Sequence, residues 1–171
     1  MSSGEIKVAE HRGVFVIKME GDVRLTLCLS FDDFIERMFS SPDFCSVVFD
    51  LSDAMAIDST TLGLMAKISI KGRQLHYKDP TVVSSNPSIT RLLASMGFED
   101  IFTIVDDHPA EPAVTAGPLA SPVVALPEEV EDEDKVQERV LEAHRLLMEM
   151  NAENHDTFRE LVSTLENATR H

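Results

Sequence analysis

The chain has 171 residues, with 30 Asp and Glu against 15 Lys and Arg, for a formal net charge of −15 at pH 7. This acidic balance disfavours nucleic acid and anionic membrane surfaces as partners, since both are recognised through Lys and Arg. A hydrophobic content of 43% suits one packed core with an appendage. No apolar run approaches the roughly 20 residues of a membrane span, and Met1-Ser2-Ser3-Gly4-Glu5 lacks a signal-peptide layout, so the expected location is cytoplasmic.

In chain order, two short strands are expected at residues 5–10 and 14–20, joined by His11-Arg12-Gly13. The run Val14-Phe15-Val16-Ile17 is nearly continuous and reads as a strand buried on both faces, with Gly21-Asp22 marking its end. A helix is expected over 30–39, with Ser30 as its cap and Phe31, Phe34, Ile35, Met38 and Phe39 at helical spacing. Ser40-Ser41-Pro42-Asp43 breaks it. Val47-Val48-Phe49-Asp50-Leu51 reads as a buried strand. After a short loop a helix is expected over about 60–75, then a strand over 81–84. Pro87 suits the first position of a helix running to Met96 and closed by Gly97, and residues 101–105 form the last strand. Strands alternating with helices predict an α/β fold: a mixed sheet, opened by an antiparallel pair, with helices packed on it.

Beyond this point the composition shifts. Residues 107–127 carry Pro109, Pro112, Pro118, Pro122 and Pro127 among Ala, Val and Gly, a semi-stiff linker between a domain at 1–106 and an extension at 128–171. The acidic cluster 128–134 suits a helix N-terminus. Val136, Val140, Ala143, Leu147 and Met150 then repeat at spacings of four and three, the pattern of an amphipathic helix. Asn154 is expected to interrupt it, and Thr157-Phe158-Arg159-Glu160 offers a capping box for a second helix. The stripe through Val140, Leu147, Phe158, Leu161 and Leu165 must be covered, by the chain's own domain, by a second copy in a homodimer, or by a helix-binding partner.

Cys28 and Cys45 sit in apolar surroundings and read as buried, inert thiols. His11, His76, His108, His144, His155 and His171 have no metal-ligand spacing, and no Gly-rich phosphate loop or Gly-x-Ser-x-Gly elbow is present. The sequence therefore calls for no cofactor and no metal, and the expectation is a protein that is not an enzyme.

The most informative residues are Asp58-Ser59-Thr60-Thr61, directly ahead of an apolar pattern at helical spacing. This is how a helix start is written. The free N–H groups there favour negative charge, so a phosphate on Ser59 is tolerated; the same residues equally describe an ordinary capped helix. Projected at the helical period, Leu62, Met65, Ala66, Ser69 and Ile70 face the sheet. Thr60, Gly63, Lys67 and Lys71 lie opposite, with Leu64 at the edge, and this arc reads as a partner-docking surface beside Ser59.

Asp58-Ser59-Thr60-Thr61-Leu62-Gly63 resembles the loop-to-helix hallmark of the STAS domain family, which includes anti-sigma factor antagonists and the cytoplasmic tails of sulfate transporters. The resemblance runs from about Ile6 to Val105 and takes in the strand Val47 to Leu51 and the segment Asn86 to Phe98. Thr61 departs from the pattern, standing where Gly is common, and Thr60 and Thr61 are alternative hydroxyl acceptors. The resemblance implies a partner switch of the anti-sigma factor antagonist type. Ser59 is the implied phosphoacceptor and Asp58 part of the kinase recognition motif. The implied partners are an anti-sigma factor or a serine/threonine kinase-like regulator, and a serine/threonine phosphatase. Two other readings are an unphosphorylated STAS-like adaptor that oligomerises through its C-terminal helix, and a small-molecule sensor.

Overall fold

The computed structural model of the chain describes residues 4–106 and 123–169. Four Pro of the linker (109, 112, 118 and 122), together with His108 and His171, fall outside them.

Strands β1 (Glu5–His11) and β2 (Val14–Val23) form an antiparallel hairpin, and β3 (Ser46–Ile57) pairs parallel with β2. Strands β4 (Thr81–Val83) and β5 (Thr103–Val105) continue the parallel set, while β6 (Val124–Ala125) pairs antiparallel with the outer edge of β1. The six strands run in the order β5-β4-β3-β2-β1-β6, a mixed sheet as expected. Strand β2 is not buried on both faces. Phe15, Ile17 and Met19 are buried while Val14 and Val16 are only half-buried, because side chains alternate across the sheet. In-register Val47 and Phe49 of β3 share the buried face with Phe15 and Ile17.

Helix α1 (Cys28–Phe39) starts two residues earlier than expected, after a 3₁₀ turn at Leu25–Leu27. Ser30 therefore lies inside it and does not cap it. Its Oγ donates instead to the carbonyl oxygens of Leu27 and Pro127, at 3.1 and 2.7 Å. Strand β3 continues past Leu51 through the expected loop to Ile57, held by the end of β2, which itself passes Gly21-Asp22 by way of register shifts. Helix α2 (Ser59–Gln74) follows at once. Helix α3 (Pro87–Ser95) has Asn86 as its cap, accepting from Ser88 N at 2.9 Å, and the chain leaves it through Gly97 at φ +81°, a value L side chains rarely adopt. Ile101 and Phe102 follow a 3₁₀ turn at Phe98–Asp100 and belong to the core, and not to β5.

Helices α4 (Glu133–Met150) and α5 (Ala152–Thr169) form a hairpin. The break falls at Asn151, in extended backbone, and not at Asn154. Asn151 Oδ1 accepts from Asn154 N at 2.8 Å and starts α5, so Thr157 lies within the helix and its hydroxyl donates to Glu153 O. Asn154 is buried and donates to Met96 O at 2.9 Å, fixing the hairpin's turn to the end of α3. Leu141, Ala143, Leu147, Phe158 and Val162 are buried, and Ala143, Leu147 and Phe158 are continuous with the core under the sheet. Val140 and Leu165 are half-buried. Leu161 is 41% exposed, which corrects its place in the expected stripe: Phe158 and Val162, four residues apart, carry the buried face of α5. No helix among the described residues is long and apolar enough to cross a membrane.

Candidate site at the start of α2

Asp58 builds the local geometry. Its backbone is extended, and its Oδ1 accepts from Thr61 N at 2.9 Å, capping α2. Its Oδ2 accepts from Leu25 N at 2.7 Å, tying the helix start to the turn before α1. Ser59 comes next, half-buried, while Thr60 and Thr61 are each 2% exposed. Of the three adjacent hydroxyl-bearing residues, only Ser59 is not buried.

Helix α4 lies along α2 and meets Ser59 directly. Ser59 Oγ is 2.7 Å from Nε2 of His144, a residue 2% exposed. The other ring nitrogen, Nδ1, lies 2.6 Å from Val140 O. A carbonyl only accepts, so in the neutral ring Nδ1 carries the proton and Nε2 accepts from the Ser59 hydroxyl. The Phe158 ring of α5 packs edge-on against the imidazole at 5.1 Å.

One turn further along α2, Gly63 allows the backbones to meet. A methyl group at Gly63 would overlap the Ala143 carbonyl oxygen and stand 2.6 Å from Ala143 Cβ. One turn beyond that, Lys67 reaches Asp32 of α1 at 2.7 Å and Glu142 of α4 at 3.0 Å. Arg139 closes the cluster on Asp32 at 3.1 Å and on Glu142 at 3.5 Å. Burial works against the charge on Lys67, but its hydrogen bonds to Asp32 and Glu142 outweigh that and hold its pKa above the ordinary lysine value. Lys71 pairs with Glu36 at 3.2 Å and lies over the Phe39 ring.

The arc expected to face a partner is thus assembled, and it is covered by the chain's own α4. Gly63 is buried beneath Ala143, and Lys67 is paired across the helices. Leu64, expected at the edge of the arc, is fully buried. The physical reason is that α2 is sandwiched between the rest of the core and α4, so every residue from 60 to 66 is buried. Lys71 remains the arc's half-exposed end.

The residue that the sequence did not single out is His144. Its only local signal is an imidazole beside Ala143 on an apolar stripe, and its partner Ser59 is 85 positions away. Cys45, expected buried, is exposed, because the core at this point takes the neighbouring Phe44; Cys28 is buried as expected.

A comparison with curated proteins gives no match. A family model for the STAS domain matches residues 5–110, which span all of β1 to β5 and the Ser59 site. With well over half its length so matched, this chain belongs to the STAS domain family.

Proposed function

We propose that this STAS domain is a phosphorylation-controlled partner switch of the anti-sigma factor antagonist type, acting in the cytoplasm without enzymatic activity of its own. The unphosphorylated form binds an anti-sigma factor or a related kinase-like regulator through the α2 face that carries Gly63, Lys67 and Lys71. Phosphorylation of Ser59 ends that binding, and a serine/threonine phosphatase restores it.

The observation that carries this reading is the exposure contrast at the start of α2. Ser59 is the one hydroxyl-bearing residue of its motif that is not buried, and the burial of Thr60 and Thr61 argues against their use by a kinase. Placement at a helix N-terminus lets a dianion of about −1.5 to −2 charge be carried without unfolding the domain. The adaptor reading, with oligomerisation through the C-terminal helix, has less support, because α4 lays its apolar stripe on α2 of its own chain.

The test is to incubate the full chain with its cognate kinase and ATP, map the phosphate, and compare capture of the regulator by wild type, Ser59→Ala and Ser59→Asp. Modification at Ser59, with binding kept by Ser59→Ala and lost by Ser59→Asp, is expected. Full modification of Ser59→Ala would reject the assignment.

A further inference from the structure

We infer that the α2 face is a helix-receiving groove held in cis by α4, and that the partner enters it as a helix presenting the contacts that α4 now makes. Those contacts come from three consecutive residues. Glu142 supplies a carboxylate to Lys67, Ala143 a small residue over Gly63, and His144 an acceptor for the Ser59 hydroxyl. Each one restricts what fits. Gly63 and Ala143 bring two backbones together with only the Ala143 methyl group at the crossing, so the visiting residue there is Ala, Gly or Ser. Lys67 is 16% exposed and already shares Asp32 with Arg139, so the visitor's matching residue is acidic.

The third contact links the groove to modification. The imidazole of His144 occupies the space directly off Ser59 Oγ, at 2.7 Å, and His144 is itself buried against Phe158. A phosphoryl group on Oγ needs that same volume. It also removes the hydroxyl proton that Nε2 accepts. Docked α4 and phosphorylated Ser59 therefore exclude each other, and a visiting helix seated in the same way is excluded as well. Both the partner and the kinase require α4 to leave, so the fraction of chains with α4 undocked scales the apparent affinity for each. The identity of the visitor as the switch's partner rests on the function proposed above; the groove and its cis occupant do not.

The test uses the full chain and a defined probe, a fluorescein-labelled peptide of native residues 132–169. Ala143→Arg places a long cation against the Gly63 backbone and drives the chain's own α4 out, leaving α2 unaltered. Glu142→Arg is the milder variant, setting a cation against Lys67 and Arg139 without touching the backbone crossing; it carries the test if Ala143→Arg fails to fold by circular dichroism. The expected result is that the folded variant binds the peptide at least about tenfold more tightly than wild type, whose groove is occupied. Phosphoserine placed at position 59 of that variant during translation should weaken the peptide at least about tenfold.

Equal peptide binding by wild type and the folded variant, or none by either, overturns the groove. Unchanged binding with phosphoserine at 59 overturns its link to modification. If the peptide behaves as expected but kinase mapping places phosphate elsewhere, the groove stands and the switch assignment falls. If Ser59 is the mapped site but the folded variant ignores the peptide, the reverse holds.

Discussion

Gly63→Ala is the sharpest probe of the α2–α4 contact, because the sign of its effect depends on that contact. In an exposed helix interior, replacing Gly by Ala stabilises by about 0.5–1 kcal/mol through backbone entropy alone. Here the added methyl would overlap the Ala143 carbonyl oxygen and stand 2.6 Å from Ala143 Cβ. The obstacle is a helix backbone and not the end of a flexible side chain, so no rotamer change relieves it. Overpacking of this kind costs about 1–3 kcal/mol, and the rigid obstacle argues for the upper end. Setting about 3 against about 1 leaves a net loss of about 2 kcal/mol. Urea unfolding followed by circular dichroism reads this as a midpoint lower by about 1 M, for a slope of about 2 kcal/mol per M. A midpoint raised by the amount typical of an open helix site would show that α4 does not lie on Gly63 and would refute the packing argument.

Other outcomes follow from the same geometry. Ser59→Ala leaves the buried Nε2 of His144 without its donor and should cost about 1–3 kcal/mol in the same assay; a neutral effect would show the hydrogen bond to be unimportant. Lys67→Met should cost about 2 kcal/mol, below the roughly 3–5 of a fully buried broken pair, because Arg139 still neutralises Asp32. Lys67 has its pKa raised in the folded state, so its contribution is complete below the ordinary lysine value and is lost as pH rises through the raised one. Melting temperatures should therefore fall more steeply above about pH 10 in wild type than in Lys67→Met, and parallel curves would contradict this. Burial first, and then the carboxylates of Asp58 and Asp32, push the Cys28 thiol up to about 11, whereas Cys45 is exposed. Iodoacetamide near neutral pH should label Cys45 alone until the chain is unfolded, and rapid labelling of Cys28 would contradict its burial.

What the sequence made legible was local. The cap that Asp58 places on α2, Pro87 at the start of α3 and Gly97 at its end each act within a few residues, and each sits where its chemistry demands. The features that the sequence concealed are held by distant partners. Ser52-Asp53-Ala54-Met55-Ala56 has the texture of a loop, and it is strand only because the end of β2 pairs with it. Val124-Ala125 is too short to carry a period, yet it closes one edge of the sheet on β1. The apolar stripe of α4 announced that it must be covered, but where it docks depends on Gly63, Lys67 and Ser59, some 75–85 positions earlier. That distance also hid His144, whose role exists only once two helices meet.

The chain leading into α4 is pinned at several points: β6 lies on β1, Leu126 N donates to Ile6 O, Ser30 donates to Pro127 O, and Glu129 N donates to Thr26 O. Only a few residues then separate Glu129 from the helix cap at Asp132. An undocked α4 would therefore stay beside its groove at an effective concentration in the millimolar range, as short tethers give. A free rival at micromolar concentration must hold the groove roughly a thousandfold more tightly than α4 does to occupy half of the molecules. The anchor thus sets a threshold of affinity and abundance, and weak or rare helices that happen to fit are outcompeted before they can engage.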